Sequence, residues 1–510
     1  MFLLINPPVA KPSEPPAGIA RLAGALRACS VPCDMLDASL EGLLWLMRQT
    51  PETPDVWTGR ALGCRDAHIA TLRSSTACRN EGRYRRAVSD LNRLVHTASQ
   101  SSGADVGLAD FRHRDYSPVS AGDLLDAARE HERNLFHPWF SRRLPELLDG
   151  VQVVGLSVNY LSQAVCAFAM AGWLKRHHPR LKTVMGGGLV TSWLRRPGWS
   201  SPFGEVADHL VAGPGEEFLL GLAGATLPPG CEPLPDYGGL PLPEYLSPGL
   251  VIPYSTATGC WWNSCTFCPE RAEGNRFHPL PARRAATELR ALNEKHRPAL
   301  FHLLDSALSP AVLEHLATSP PGAPWYGFAR IASPLTDADF CRSLRRSGCV
   351  MLKLGIESGD QAVLNRLQKG VRVEAASRVL KNLRQAGIAV YGYLLFGTPA
   401  EDEPAARRTL DFTVQHHDEL TFLNLALFNM PAFGEEAALH GTGPFYDGNL
   451  SLYTAFRHPL GWERSAARRF VDREFSRHPL ISPILRRDPP LFTSNHAPFF
   501  LPDNRGCLSC

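Results

Sequence analysis

The chain has 510 residues, which is room for two or three domains, and a net charge of only +3 at pH 7. This charge balance does not indicate a nucleic-acid-binding surface. No apolar run reaches the length of a membrane span, and the first residues lack the basic and long apolar regions of a signal peptide. The 13 cysteines therefore favour reduced thiols and metal binding in a cytoplasmic protein over a disulfide framework.

The first part of the chain alternates short apolar strands with helices. A strand is predicted at 2–5, before Asn6, Pro7 and Pro8, and an amphipathic helix at 18–28. Further strands are predicted at 33–37, 151–157, 182–188 and 209–216. Because small polar or glycine loops follow these strands, residues 1–225 are predicted to form a Rossmann-like, doubly wound α/β domain. Such a domain binds its ligand at the carboxyl ends of the strands.

Two other segments depart from this alternation. Residues 41–149 are helical in pattern and rich in arginine, most clearly at 83–98, and are predicted to be an insertion that caps the domain. Residues 226–250 are rich in proline and fit a semi-extended linker that crosses between domains.

Three cysteines, Cys260, Cys265 and Cys268, follow closely on one another. A β-branched strand is predicted before them at 251–258, and a helix after them at 282–294, so the triad lies on a strand-to-helix loop. Thiolates bind iron–sulfur clusters and soft or borderline metals. The triad is therefore a candidate metal centre.

The triad alone is compatible with more than one kind of metal centre. Three thiols leave one iron of a [4Fe–4S] cube without a protein ligand, and a small molecule could bind there. A zinc site would want a fourth ligand, which Cys507 or Cys510 at the end of the chain could supply. Inert buried thiols fit less well, because the glycine, asparagine and serine neighbours make a poor core. For the terminal cysteine pair, auxiliary metal binding, thiol chemistry and an inert tail all stay open.

After the triad the chain repeats a strand-then-helix pattern. Strands are predicted at 300–304, 325–330, 350–356 and 389–396. Such a repeat predicts a parallel sheet with helices outside it, and residues 251–428 are predicted to form a partial (β/α)6 barrel of TIM type. The chemistry of such barrels lies at the carboxyl ends of the strands, where Asp305, Arg330, Glu357 and Ser358 fall.

The remaining residues, 429–510, are predicted to form a small, mainly helical C-terminal region on which substrate choice depends. Its aromatic side chains could line a pocket or pack a helical cap, and they are Phe433, Tyr446, Tyr453, Phe456 and Trp462.

The triad and the barrel pattern resemble the radical SAM enzymes. The hallmark of that family is Cys-x3-Cys-x-aromatic-Cys after the first strand of a partial barrel, and Cys265, Phe267 and Cys268 match its second half. The first half departs from it, because four residues separate Cys260 from Cys265. The segment 355–370 resembles the family's stretch G-I-E-S-G…N-K-G, and 391–397 resembles its late strand and the glycine beside the adenine.

The resemblance implies that Cys260, Cys265 and Cys268 hold a [4Fe–4S] cluster whose open iron binds S-adenosyl-L-methionine (SAM), and zinc becomes the lesser alternative. The residues implied to lie near SAM are Phe267, Asp305, Arg330, Glu357, Ser358 and Gly397.

The N-terminal loops resemble the cobalamin-binding domain that precedes the barrel in one radical SAM class. The residues implied to contact cobalamin are Pro7, Ser157, Asn159, Gly186, Gly187, Gly188, Gly213, Gly215 and Glu216. The motif Asp-x-His-x-x-Gly, which supplies a cobalt ligand elsewhere, does not occur, since Asp66-Ala-His68 lacks the glycine. Cobalt is therefore expected to lack a histidine ligand from that motif. The alternative is a Rossmann-like domain that binds something else or nothing.

The resemblance implies a cobalamin-dependent radical SAM enzyme that transfers a methyl group to an unactivated centre of a small-molecule or peptide substrate. It would use a 5′-deoxyadenosyl radical and a one-electron donor such as a flavodoxin or ferredoxin. One alternative is a radical SAM enzyme that catalyses a rearrangement, cyclisation or epimerisation. Another, of a different class, is a zinc-stabilised binding protein.

Overall fold

The computed structural model describes residues 1–49, 55–74, 80–228, 230–231, 233–489 and 491–492. They form two compact units. Unit 1 comprises Met1–Val251 with Asp447–Ser451 and the described residues from Pro489 on, and unit 2 comprises Ile252–Tyr446 with Leu452–Asp488. In the described ranges, no helix is both long and apolar enough to cross a membrane. Cys78, Cys507 and Cys510 lie outside the described residues.

Unit 1 is built on a five-stranded sheet with the order β2-β1-β5-β6-β7. Its strands are β1 (Phe2–Asn6), β2 (Cys33–Asp37), β5 (Val153–Ser157), β6 (Lys182–Gly186) and β7 (His209–Leu210). Every neighbouring pair is parallel. The predicted doubly wound fold is confirmed. The strand order reverses between β1 and β5, and ligands of such sheets bind outside the carboxyl ends at that point.

Helices of unit 1 occur between the strands of its sheet and in the described residues of the segment 41–149. They are α1 (Ala17–Ala28), α2 (Ala38–Leu46), α3 (Val56–Leu72), α4 (Glu81–Ser99), α5 (Ala121–Arg129), α6 (His137–Arg143), α7 (Leu161–His177), α8 (Gly188–Leu194) and α9 (Glu216–Leu222). Side chains of Asp55, Asn80 and Ser120 accept hydrogen bonds from the first turns of α3, α4 and α5, which explains where these helices begin. The 41–149 segment also contains an antiparallel pair, β3 (Ala104–Val106) and β4 (Phe111–His113), which sequence analysis did not predict.

The Pro-rich segment 226–250 packs on unit 1, where a linker between domains was expected. The backbone amide of Asp236 donates to the carbonyl of Ala20 at 2.9 Å, and its carboxylate pairs with Arg27 at 2.9 Å. Tyr245 donates from its hydroxyl to Asp37 Oδ2 at 2.7 Å. Proline itself offers no amide, but the residues between the prolines supply donors and buried rings that hold the segment in place.

Unit 2 is built on a six-stranded sheet with the order β15-β14-β13-β12-β11-β8. The strands are β8 (Val251–Tyr254), β11 (Leu300–Leu308), β12 (Trp325–Ala329), β13 (Cys349–Glu357), β14 (Ala389–Phe396) and β15 (Phe422–Leu427). The pairs from β11 to β15 are parallel. Strands that neighbour one another in sequence also neighbour one another in the sheet, so the predicted partial (β/α)6 barrel is confirmed.

Helices lie between these strands and bring the carboxyl ends to one side. They are α10 (Pro269–Ala272), α11 (Ala282–His296), α12 (Pro310–Thr318), α13 (Ala338–Arg346), α14 (Gln361–Arg366), α15 (Val373–Ala386) and α16 (Glu403–Gln415). A two-residue pair, β9 (Ala257–Thr258) and β10 (His278–Pro279), is antiparallel and stands apart from the barrel sheet.

The C-terminal region of unit 2 contains short helices and also a three-stranded antiparallel sheet that sequence analysis did not predict. The helical segments are α17 (Glu435–Leu439), α18 (Arg464–Phe470), a π-helical turn at Val471–Phe475 and α19 (Ser482–Arg487). The sheet has the order β16-β18-β17, with β16 (Met430–Pro431), β17 (Thr442–Pro444) and β18 (Tyr453–Phe456). Strands of two to four residues are too short to show an alternating pattern. Of the aromatic side chains singled out in this region, Trp462 is buried, whereas Phe433 and Tyr446 are exposed.

Candidate functional site

The cysteine triad lies on a loop that is closed at its base. The antiparallel pair of β9 and β10 joins the two ends of this loop. Gly259 begins it with a φ of +72°, and a side chain there would overlap the carbonyl of Arg276. The loop therefore leaves the first barrel strand through a turn that only glycine permits, and it returns beside its own starting point.

The long spacing between Cys260 and Cys265 is accommodated by a left-handed residue. Asn263 has a φ of +43°, a conformation that asparagine adopts more readily than most residues. The hydroxyl of Ser264 donates to the carbonyl of Trp262 at 2.9 Å. The additional residue is thus taken up in a tight turn without opening the loop.

The thiols of Cys265 and Cys268 are neighbours. The backbone amide of Cys268 donates to the carbonyl of Cys265 at 3.3 Å, and α10 begins directly after Cys268. Burial raises the pKa of the Cys268 thiol to about 11, and Cys265 contributes to the shift in the same direction. Cys260 is half-buried, and all three cysteines are free thiols. Ligation by a metal would therefore have to displace protons from these thiols, of which Cys265 is buried and Cys268 half-buried.

The donor set fits a cluster better than a single ion. Within the described ranges, no three histidine, cysteine, aspartate or glutamate side chains converge on a position for one metal ion. In a four-iron cube each thiolate binds a different iron, so the three sulfurs need not meet at one point. Three soft sulfur donors on one partly buried loop are the ligand set that such a cube takes.

A second segment, residues 367–370, runs along the cysteine loop and holds it. The amide of Thr266 donates to the carbonyl of Leu367 at 3.1 Å, and the indole of Trp262 donates to the carbonyl of Gln368 at 3.0 Å. Gly370 has a φ of +68°, and any side chain there would overlap the ring of Trp262. The loop is thus fixed by backbone groups about 100 residues away in sequence.

Arg330, predicted to lie near SAM, faces the cysteine loop. Its Nη1 lies 3.8 Å from Cys265 Sγ, and its Nη2 donates to the carbonyl of Lys369. Its guanidinium carbon lies 4.3 Å from the ring centroid of Trp262. This cation is buried, and it stabilises negative charge on the sulfur of Cys265.

Glu357 lies at the end of β13 and pairs with a lysine that sequence analysis did not single out. Lys369 Nζ lies 2.6 Å from Glu357 Oε1, and both side chains are largely buried. Glu357 has a φ of +64°, unusual for a residue with a side chain. Burial raises the pKa of the Cys265 thiol, and the positive charges of Lys369 and Arg330 oppose that rise. Two cations therefore flank one thiol.

Two of the other residues predicted to lie near SAM are engaged in contacts within unit 2. Asp305 is buried and accepts hydrogen bonds from the amide and the hydroxyl of Thr256, at 3.0 and 2.5 Å. The hydroxyl of Ser358 lies 3.0 Å from that of Thr409 on α16. Asp305 thus ties β11 to the segment between β8 and β9 that leads into the triad, and Ser358 ties the end of β13 to α16.

Phe267 and Gly397 complete the predicted set. Phe267 packs against the apolar cluster of Val363, Leu367, Ala400 and Ala405. Gly397 follows β14 with a φ of +76°, and its amide donates to Glu401 Oε2 at 2.5 Å. Glu401 is a residue that sequence analysis missed, because nothing in its local sequence distinguishes it from a surface carboxylate.

In unit 1 some of the residues predicted to contact cobalamin, among them Pro7, Ser157 and Asn159, lie at the carboxyl edge of the sheet. Gln163 of α7 donates from Nε2 to the side-chain oxygen of Asn6 and to the carbonyl of Pro7, each at 2.9 Å. The side chain of Asn159 donates to the hydroxyl of Ser157 at 3.1 Å. These contacts bring the ends of β1 and β5 together at the point where the strand order reverses.

The glycine loop after β6 closes on the same edge. The amide of Gly188 donates to Asn159 Oδ1 at 2.9 Å. Gly187 has a φ of +102°, and a Cβ there would lie 2.5 Å from the carbonyl of Val158. No side chain projects from Gly186, Gly187 or Gly188, so a bulky group can approach this backbone closely.

The loop after β7, which also contains residues predicted to contact cobalamin, is bonded to neighbouring helices of unit 1. Gly213 has a φ of +73°, and its amide donates to the hydroxyl of Thr191 at 2.9 Å. Gly215 precedes α9, and Glu216 at its start forms a salt bridge with Arg21 of α1. The carboxylate of Glu216 therefore fastens α9 to α1.

Comparison with known proteins identifies the barrel. Residues 254–413 match the model of the Radical SAM superfamily. An uncharacterized methyltransferase of Pyrococcus horikoshii is 24% identical over 190 residues, which are 35% of this chain and 40% of that protein. The bacteriochlorophyllide d C-12(1)-methyltransferase of Chlorobaculum tepidum is 33% identical over 81 residues, which are 16% of this chain and 18% of that protein. The chain thus spans less than half the length of either relative.

A solved structure resembles the chain over most of its length. It is that of the radical S-adenosylmethionine methyltransferase TsrM from Kitasatospora setae, with cobalamin and a [4Fe–4S] cluster bound. The TM-score is 0.52 at 16% identity, and the match covers 92% of this chain and 84% of that one. Residues 254–413 are therefore a radical SAM domain. The chain as a whole has the fold of a radical SAM protein whose barrel follows a doubly wound α/β unit.

Proposed function

We propose that this chain is a cobalamin-dependent radical SAM methyltransferase that acts on an unactivated centre of a small-molecule or peptide substrate. The observation that carries the proposal is the closed loop with Cys260, Cys265 and Cys268, which lies at the start of a radical SAM barrel. The fold match to TsrM, which binds cobalamin and a [4Fe–4S] cluster, and the methyltransferase names of the partial relatives support the same activity.

In this proposal the three cysteines ligate the cluster, and unit 1 holds cobalamin at the carboxyl edge of its sheet. When bound, the cluster would supply the electron that cleaves SAM to methionine and a 5′-deoxyadenosyl radical, and cobalamin would supply the methyl group for transfer. The protein supplies position and charge. Arg330 and Lys369 place positive charge beside Cys265, and the backbone of 367–370 keeps the cysteine loop in one conformation.

The SAM site is proposed at the carboxyl ends of the barrel strands. Glu357 is the carboxylate best placed to accept hydrogen bonds from the ribose or the amino group of SAM, because it ends β13 and 12% of its side chain is exposed. The turn at Gly397 offers backbone for the adenine. Asp305 acts by fixing the segment before the triad to β11, and Ser358 by fixing the end of β13 to α16, since their polar atoms are already bonded within unit 2.

In unit 1 we propose that cobalamin lies against Pro7, Ser157, Asn159 and the glycines 186–188. The strand order reverses here, and the glycine loop leaves the backbone open to a large ligand. Gly213 and Gly215 continue the edge beyond β7. A one-electron donor such as a flavodoxin or ferredoxin is the partner that the chemistry requires.

The test is anaerobic reconstitution of the full chain with iron, sulfide and hydroxocobalamin, followed by assay with SAM and dithionite as the one-electron reductant. The wild type should bind about four irons per chain, retain cobalamin through gel filtration and form 5′-deoxyadenosine. Cys260→Ala, Cys265→Ala and Cys268→Ala should each abolish 5′-deoxyadenosine formation. Cys64→Ala, a half-buried cysteine of α3, is the matched control and should behave as the wild type. Wild-type protein that holds zinc in place of iron would overturn the proposal.

A further inference from the structure

The ammonium group of Lys369 lies beside Glu357 and the cysteine loop. Its Nζ lies 2.6 Å from Glu357 Oε1, and only 8% of the lysine side chain is exposed. It also lies 5.6 Å from the ring centroid of Phe267. Phe267 stands between Cys265 and Cys268 in the cysteine loop, so the ammonium group lies beside that loop, where Arg330 Nη1 is 3.8 Å from Cys265 Sγ.

The backbone of Lys369 is also hydrogen-bonded on both sides. Its amide donates to the carbonyl of Leu364 at 3.0 Å, and its carbonyl accepts from Arg330, which also reaches Cys265. The ion pair lies over Gly355, where a Cβ would stand 2.6 Å from Lys369 Nζ. A glycine at that position therefore makes room for this pair, and the ammonium group is not free to move to solvent.

We propose that Lys369 is a positioning residue that couples the cluster to the SAM site: its charge raises the reduction potential of the cluster held at Cys265, and its ion pair orients Glu357 toward SAM. This inference rests on the proposed function. It assigns to one buried cation two effects that sequence motifs do not suggest.

The physical reason for the first effect is charge. Reduction adds one negative charge to the cluster, and a buried cation nearby stabilises the reduced state more than the oxidised state. Removal of the cation therefore lowers the potential. Glu357 carries the opposite charge and partly cancels Lys369, so neutralising Glu357 shifts the potential in the opposite direction.

The second effect follows from the ion pair. Glu357 has a positive φ, and its carboxylate accepts a hydrogen bond from Lys369 Nζ. Without Lys369 its carboxylate would lose its partner in a largely buried site, and it would adopt other rotamers. SAM would then bind to a site that is no longer pre-arranged, and its affinity would fall.

The experiment uses the full chain, reconstituted anaerobically, as wild type, Lys369→Met, Lys369→Arg and Glu357→Gln. Lys381→Met, which removes an exposed lysine of α15, is the control for charge alone. Iron and sulfide are measured first, then the midpoint potential by a redox titration monitored by electron paramagnetic resonance without SAM, and then SAM affinity by equilibrium binding.

We expect a lower potential for Lys369→Met, a higher one for Glu357→Gln, and values near the wild type for Lys369→Arg and Lys381→Met. SAM affinity should fall about tenfold in Lys369→Met, as for the removal of one charged contact. If Lys369→Met retains no cluster, the midpoint potential of Glu357→Gln tests the proposal instead: a potential above that of the wild type supports it, and a lower one contradicts it.

Unchanged potential and SAM affinity in Lys369→Met would overturn the proposal, as would a lower potential in Glu357→Gln. A wild-type chain that takes up no iron and sulfide would overturn the proposed function itself, and this inference with it. The iron and sulfide measurement separates these two failures before any variant is compared.

Discussion

The indole of Trp462 donates a hydrogen bond from Nε1 to Glu401 Oε2 at 3.0 Å, and the amide of Gly397 donates to the same oxygen at 2.5 Å. The side chain of Glu401 is fully buried, and its Oε1 has no hydrogen-bond partner among the described residues. Burial raises the pKa of Glu401 to about 7. The chain thus keeps a carboxyl that titrates near neutrality beside the turn proposed to contact adenine.

This burial predicts a dependence of stability on pH. In the unfolded chain Glu401 loses its proton near its ordinary pKa of 4.5, but in the folded chain only near 7. The folded state therefore binds more protons between these values, so the free energy of unfolding should fall as the pH rises through this window. Glu401→Gln removes the titration, and the fall should be smaller by up to about 3 kcal/mol. Urea denaturation at pH 5 and pH 7.5 measures it, and equal pH dependence in both proteins would contradict the account.

The contact between Thr256 and Asp305 should support the cysteine loop. Thr256→Val keeps the shape of the side chain but removes the hydroxyl that donates to Asp305 at 2.5 Å. Because the carboxylate is buried, we expect a loss of about 1–3 kcal/mol in the free energy of unfolding. Iron retained after gel filtration should fall as well. Thr256→Ser, which keeps the hydroxyl, should lie close to the wild type in both measurements. A Val variant as stable as the Ser variant would show that this hydrogen bond contributes nothing.

The turn at Asn263 should tolerate glycine but not a β-branched residue. With a φ of +43°, valine there would be strained by about 1–2 kcal/mol, whereas glycine adopts the conformation freely. We expect Asn263→Gly to reconstitute with the wild-type amount of iron and Asn263→Val with less. Iron and sulfide per chain are the readout. Full iron uptake by Asn263→Val would mean that the spacing between Cys260 and Cys265 is met by another conformation.

The glycine loop of unit 1 allows a matched pair of variants. A side chain at Gly187 would lie 2.5 Å from the carbonyl of Val158 in a conformation that L-residues avoid, whereas a Cβ at Gly186 meets its nearest atom at 3.5 Å. Gly187→Ala should therefore lose cobalamin uptake, and Gly186→Ala should lose less. Iron and sulfide should be unchanged in both, because the triad belongs to unit 2. Equal cobalamin uptake by the two variants would argue against this loop as the binding edge.

The features that could be predicted from sequence depend on neighbouring residues, whereas the missed contacts join residues that are far apart in the chain. The two parallel sheets and the loop position of Cys260 follow from local patterns of apolar strands, helices and glycines. Lys369 belongs to the segment 355–370, but its role was not predicted, because its place beside Phe267 comes from packing between segments about 100 residues apart. Trp462 meets Glu401 over a separation of 61 residues, and no local signal marks either as a partner.

Other differences between prediction and structure arise from side-chain partners and from strands that are very short. Ser358 follows β13, whereas Asp305, predicted at a strand end, lies within β11, which continues to Leu308; their polar atoms bond to Thr409 and Thr256. A motif predicts where a residue lies along the chain and does not predict which of its neighbours its side chain bonds. The strands β16, β17 and β18 are too short to carry a periodic signal.

The central claim is that Cys260, Cys265 and Cys268 leave one iron of a [4Fe–4S] cluster free for SAM. The most direct test is the electron paramagnetic resonance spectrum of the reduced, reconstituted chain, recorded with and without SAM. The account predicts a cluster signal whose g values change when SAM is added. A chain that carries stoichiometric zinc and gives no such signal, or a cluster signal that SAM leaves unchanged, would contradict it.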